Sequence, residues 1–251
     1  MASNLDELLQ PTGGPRSLRE LALPGPLEIL VLAPHPDDFD AISLTLRHLH
    51  GLGHNLRVAV LTTGASGVDD GFGGAHDDAA KAALREAEQR ASCAFFGLAP
   101  ERLSFLRLWG DGADDLAALR DWMAVRRADL LFMPHGNDSN RSHRRTYEAA
   151  RALASELGLE AWAFLNQDAK TLGMRVDLSF DFDAADAAWK GQLLRCHRSQ
   201  QERNLRLRGA GFDARVLQVN RQAGEALGTP LPYAEVFELM RLGNVNDPIS
   251  K

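Results

Sequence analysis

The sequence predicts an α/β fold, a mainly parallel central sheet covered by helices on both faces. Three observations carry this expectation. Short apolar runs alternate along the chain with longer helical patterns. Most of the runs are continuous, as strands buried on both faces require. Two of them end in loops rich in His, Asp and Pro, at the carboxyl ends where open α/β sheets bind ligands.

At 251 residues the chain is long enough for one large domain with a buried core. Residues 1–26, rich in Pro, Gly and charge, read as an N-terminal arm, and 27–251 as a single domain. Residues 27–32 form the first apolar run and should be a buried strand. It stops at Ala33-Pro34-His35-Pro36-Asp37-Asp38, where two prolines bracketing a histidine enforce a rigid loop. A helical spacing follows over 40–50, ended by Gly51 and Gly53, and then a strand over 57–62. Residues 63–77 are a Gly- and Asp-rich loop, long enough to be functional. A helix over 78–96 ends at Gly97, and a strand at 103–106 and a helix at 114–127 come next. The strand at 129–133 runs into a second polar loop, Pro134 to Asn140, followed by a helix over 143–157 with Ser142 as its N-cap. A strand at 160–165, an alternating strand within 174–182 and a helix over 184–208 complete the pattern. The last ~70 residues are the one stretch that could pack as a separate lobe.

Composition narrows the function. The net charge is -6 and the pI about 5.8, so no bulk positive field would gather nucleic acid or anionic lipid. Arginines cluster at 195–208 but are interspersed with Glu and Gln, which reads first as a solvated helix face rather than a binding patch. Cys93 and Cys196 lie far apart without CxxC spacing and suggest neither a disulfide framework nor a thiolate metal site. The N-terminus lacks a basic-then-apolar signal pattern and no apolar run is long enough to span a membrane. A reducing cytoplasm is the expected home, with no membrane partner.

The two polar loops together offer imidazoles and carboxylates. A catalytic metal needs about three protein ligands, an open position and a base beside it. His35, Asp38 and His143 make such a His₂Asp set, which suits zinc first, with Mn, Co, Fe or Ni able to substitute. Asp37, one residue from a ligand, is placed to take a proton from the activated water. HPDD alone would serve equally as a tight turn capping the next helix; the second His-bearing loop after another strand favours the metal.

The motif Ala33 to Asp38 followed by an acidic residue resembles the signature of the LmbE-like / PIG-L family of zinc-dependent de-N-acetylases. Further blocks agree in order and spacing: Arg85-Glu86-Ala87-Glu88 with Phe96-Gly97-Leu98, Pro134 through His143-Arg144, Trp189-Lys190 through His197-Arg198-Ser199-Gln200, and Tyr233-Ala234-Glu235 with Phe237. The resemblance implies a Rossmann-like three-layer fold and hydrolysis of a linear amide, releasing acetyl from an N-acetylglucosamine-type conjugate. It implies zinc on His35, Asp38 and His143, Asp37 as general base, and substrate contact by Arg85. Arg85 could equally form an i,i+3 ion pair with Glu88.

Two positions depart from the family. Its later loop usually reads close to HPDH, whereas here the residues are Asn140-Arg141-Ser142-His143. Asn140 can donate a hydrogen bond to an oxyanion but cannot deliver a proton. His135 or His197 would then protonate the leaving amine, or Asp37 would return its proton. His197 reads either as a buried core histidine or as a group beside the metal. The second departure is Phe39, with Asp40 next, where the family often has Glu. His76, Asp69 and Asp70 read as solvated loop residues, and His48, His50 and His54 as surface or helix-end residues. The expected partner is a small-molecule N-acetyl sugar conjugate, with homo-oligomerisation left open. The alternatives are a zinc amidase on a related metabolite conjugate and a non-catalytic metal- or sugar-binding protein.

Overall fold

A computed structural model describes residues 2–109 and 116–243. Among them the strands are β1 (Arg16–Ser17), β2 (Glu28–Ala33), β3 (Asn55–Val60), β4 (Leu103–Phe105), β5 (Leu130–Pro134), β6 (Trp162–Asn166), β7 (Leu178–Phe182) and β8 (Tyr233–Arg241). They form one sheet in the order β1-β7-β8-β6-β5-β2-β3-β4. β8 runs antiparallel to β6 and β7, and the other pairs are parallel. The helices are α1 (Ala2–Leu9), α2 (Ser43–Gly51), α3 (Asp78–Phe96), α4 (Ala117–Ala124), α5 (Arg141–Glu156), α6 (Ala184–Leu194), α7 (Arg198–Arg208) and α8 (Phe212–Leu227).

The side-chain alternation of β2 explains the layering. Ile29 and Val31 enter one core with Val58, Phe132, Leu46, Phe96 and Leu193, while Leu30 and Leu32 enter the other with Leu131, Trp122 and Leu153. Both faces of the strand are therefore buried, which is why it reads as a continuous apolar run. The fold is the expected three-layer α/β arrangement. β2 pairs with β3 on one side and β5 on the other, with Val31 opposite both Val58 and Phe132. The loops leaving β2 and β5 consequently emerge side by side at the carboxyl edge, where the topology forms a crevice.

Local chemistry fixes the long helix behind that crevice. The Asp77 carboxylate accepts the Ala80 N–H at 2.8 Å, capping α3. Gly97 ends it at φ 92°, with its N–H returned to the Cys93 and Ala94 carbonyls.

Several elements differ from the sequence reading. The first 26 residues include α1 and β1, and Leu5, Leu9 and Leu18 lie in the core because β1 pairs with β7. The segment read as one helix over 184–208 is two, broken at 195–197, with His197 at φ -84° and ψ 67° before α7. β7 is buried on both faces, not alternating. The C-terminal stretch forms no separate lobe, since β8 is built into the sheet and α8 packs on it. The helix expected over 114–127 spans Ala117–Ala124, and 110–115 lie outside the described residues. His54, read as a surface residue, is buried, its Nδ1 accepting the Leu27 N–H at 3.1 Å. No helix among the described residues is long and apolar enough to cross a membrane.

Candidate metal centre

The structure brings His35, Asp38 and His143 together from the two loops. One donor atom from each lies within 4.8 Å of the others. His35 Nδ1 is 3.0 Å from Asp38 Oδ2, and His143 Nε2 is 3.5 Å from Asp38 Oδ1. Neighbouring ligand atoms on a tetrahedral zinc with bonds near 2.1 Å stand about 3.4 Å apart, so the donor set fits such an ion. The His35 N–H also donates to Asp38 Oδ2 at 2.7 Å, fixing the carboxylate from its own loop.

Asp138 completes the setting of His143. Its buried Oδ2 is 3.1 Å from His143 Nδ1. A carboxylate there favours the Nδ1–H tautomer and leaves the Nε2 lone pair facing Asp38. Asp168 Oδ2 lies 3.4 Å from the same Nδ1. Without an ion, burial disfavours the His143 cation, yet Asp38, Asp138 and Asp168 together raise its pKa to about 10. Burial likewise works against the Asp38 anion, but His143 and then His35 hold it well below the usual carboxylate range. Burial pushes Asp168 upward against the pull of His143, and repulsion from Asp138 and Asp38 adds to the push.

Asp37 sits between this cluster and α3. Its φ of 129° is a conformation that L residues rarely adopt, so its backbone is strained. Three contacts from α3 hold it. Gln89 Oε1 accepts the Asp37 N–H at 2.8 Å, Arg85 Nη2 donates to Asp37 Oδ2 at 2.9 Å, and the same Nη2 donates to the Pro36 carbonyl. Arg85 is 2% exposed, and its Nη1 also lies 3.6 Å from Glu88, so the ion pair expected along the helix coexists with the grip on Asp37. Gly64, at φ 65°, lets the next loop close over this pair. A Cβ there would meet Pro36 Cδ at 2.9 Å and Arg85 Nε at 3.1 Å.

These groups open on a cavity of about 360 Å³, whose lining includes His35, Asp37, Asp38, Arg85, Asn140 and His143. Asn140, not Ser142, caps α5. Its Oδ1 accepts the Ser142 N–H at 3.0 Å, and among the described residues its Nδ2 amide has no acceptor.

Two expected histidines are not brought in. His135 lies outside the cavity lining, its Nε2 3.3 Å from Glu238 and its Nδ1 accepting the Asn137 N–H. His197 is fully buried, its Nε2 2.5 Å from Asp40 Oδ2, which also accepts from Gln89 and Ser92. Through Gln89, the Asp40–His197 pair is linked to the backbone of Asp37. Asp138 and Asp168 escaped the sequence reading because a single loop carboxylate has no local signature. The five-residue spacing from Asp138 to His143 across a helix start was the available clue.

The PIG-L family profile, described as GlcNAc-PI de-N-acetylase, matches residues 30–154, from β2 into α5, and includes all three donors. The chain belongs to the PIG-L family. Solved structures share the fold of this PIG-L chain. N,N'-diacetylchitobiose deacetylase from Pyrococcus horikoshii superposes with a TM-score of 0.68 at 20% identity, over 86% of this chain and 84% of its own. GalB, the 4-carboxy-2-hydroxymuconate hydratase from Pseudomonas putida KT2440, gives 0.63 at 19% identity, over 89% of this chain and 100% of its own. Teicoplanin deacetylase Orf2, in a zinc-inhibited form, gives 0.63 at 15% identity, over 88% and 100%. At such identities the likeness is one of fold, and that fold serves a hydratase as well as deacetylases. No curated protein matches the sequence.

Proposed function

We propose that this PIG-L chain is a metal-dependent hydrolase that removes the acetyl group from an N-acetylglucosamine-type conjugate. The supporting observation is that the His35–Asp38–His143 donor set and Asp37 face one cavity. Bound to these donors, a divalent ion, zinc first by donor type, would polarise the amide carbonyl and acidify a water.

Asp37 is the general base. Arg85 engages its Oδ2, and no group among the described residues donates to Oδ1, which is therefore the oxygen that takes the proton. Asn140 Nδ2 donates to the developing oxyanion. Neither His135 nor His197 lines the cavity, so the proton on Asp37 Oδ1 passes to the leaving nitrogen. Amide and water then give acetic acid and a free amine, which exchange a proton in solution, with no net proton change on the chain.

The deciding experiment measures acetate and free amine released from N-acetylglucosamine conjugates by the purified protein, before and after chelation and metal return. Release that chelation abolishes and metal restores is expected. Bound metal without release from any N-acetyl compound would instead identify a binding protein.

A further inference from the structure

The wall of the cavity away from the metal donors belongs to α7 and α8, which the proposed chemistry does not use. Arg203 on α7 and Arg215 on α8 both line it. Each guanidinium is held by one neutral acceptor. Arg203 Nη1 donates to the Gly67 carbonyl at 3.2 Å, and Arg215 Nη1 donates to Asn204 Oδ1 at 2.7 Å. No carboxylate among the described residues lies within ion-pair distance of either.

Two neighbouring arginines are paired with acids instead. Arg206 is paired with Asp69 at 2.7 Å and Arg195 with Asp213 at 2.6 Å, as a solvated helix face would have them. Both of those point elsewhere. Arg198 and Arg208 on α7 also lack an ion pair among the described residues, but neither lines the cavity; Arg203 and Arg215 are the α7 and α8 arginines that face it, oriented but not neutralised. Burial and then Arg208 lower the pKa of Arg215, and Asp168 raises it. The lining carboxylates are already engaged, Asp37 by Arg85, and Asp38 and Asp168 by His143. Lys170 adds a further positive charge at the exposed rim.

We propose that the substrate carries an anionic group, a carboxylate or a phosphate, beside its N-acetylated unit, and that Arg203 and Arg215 form the seat for it. Two planar forks on one cavity wall, one from each of two adjacent helices, suit the paired oxygens of either anion. A second groove of about 500 Å³ continues from the same neck along α8, sharing Arg215 and Asp168 and otherwise lined by uncharged groups such as Thr171, Gln218 and Gln222. The anion would thus lie between the acetamido end and an uncharged polar extension. The inference rests on the deacetylase reading for the sugar scaffold but is measured by binding.

The test titrates metal-loaded full-length protein with three N-acetylglucosamine glycosides, the neutral methyl glycoside, the carboxymethyl glycoside and the 1-phosphate, while acetate release is followed in parallel. One or both anionic compounds should bind roughly tenfold or more tightly than the methyl glycoside, and added salt should weaken only the anionic binding. The tighter of the two names the anion. Arg203→Gln and Arg215→Gln should each erase the preference and leave neutral affinity unchanged. Equal affinity of the wild type for neutral and anionic compounds overturns the seat, and that measurement needs no variant. A preference that survives in both arginine variants also overturns it, because the metal would then be holding the anion. Anion preference without acetate release leaves the seat standing and removes the deacetylase reading.

Discussion

Arg85 Nη2 lies 2.9 Å from Asp37 Oδ2, so an almost wholly buried guanidinium holds the carboxylate that borders the metal donors. The same arginine spans the strained backbone at Asp37 by bonding the Pro36 carbonyl. Its position makes it a positioning residue for the base. Arg85→Lys keeps the charge but loses the fork, so kcat should fall by about 10²-fold with KM little changed. Steady-state kinetics check this; a raised KM with intact kcat would assign Arg85 to substrate binding instead.

Asp37→Asn removes the proposed base and leaves the three proposed donors in place. Metal content by elemental analysis should be unchanged, while acetate release falls by about 10²–10⁴-fold. Wild-type turnover in this variant would end the assignment.

In the proposed centre on His35, Asp38 and His143, Asp138 would act on the ion through His143, whose Nδ1 it meets at 3.1 Å. Asp138→Asn should weaken metal affinity by about 10–100-fold, read by competition with a chromogenic chelator, and should restore activity when excess metal is supplied.

Without metal, the His143 cation is stabilised by carboxylates, and its pKa stands near 10 against about 6.5 unfolded. The raised value means the folded state holds the proton more tightly. This stabilisation is fully present below pH 6.5 and disappears as pH rises through about 10. The melting temperature of chelated wild type should therefore fall over that window, and chelated His143→Gln should show a flatter profile.

Lys190 is fully buried, its Nζ 2.6 Å from Glu235 Oε1 and also bonded to Asn220 and the Ala41 carbonyl. Lys190→Met leaves the Glu235 charge without its partner, and chemical denaturation should show a loss of about 3–5 kcal/mol.

The grouping of His35, Asp38 and His143 was legible because its signal is local twice over. Each loop directly follows an apolar strand, and pairing between β2 and β5 brings the two loops together. The Tyr233-Ala234-Glu235 block was visible as a motif, but its purpose was not. Glu235 accepts the Leu44 and Thr45 N–H groups at the start of α2, a contact spanning some 190 positions of chain. The break at His197 escaped notice for a similar reason. The local pattern is continuously helical, and the group that meets the imidazole, Asp40, lies 157 positions away. Arg203 looked like part of a solvated face because nothing in its neighbourhood distinguishes it from Arg206. What separates them is which one finds an acid in the folded chain.

β8 is the last of the described strands in sequence, yet it lies between β6 and β7. A ribosome therefore releases β6 and β7 with facing edges that nothing yet translated can bridge. The β1–β7 pair, which forms without β8, can join the rest of the sheet only after Arg241 has cleared the exit tunnel. Until then the nascent chain presents the open edges of β6 and β7 to whatever surrounds it, which makes the interval before β8 emerges a period of exposure to aggregation and to chaperones.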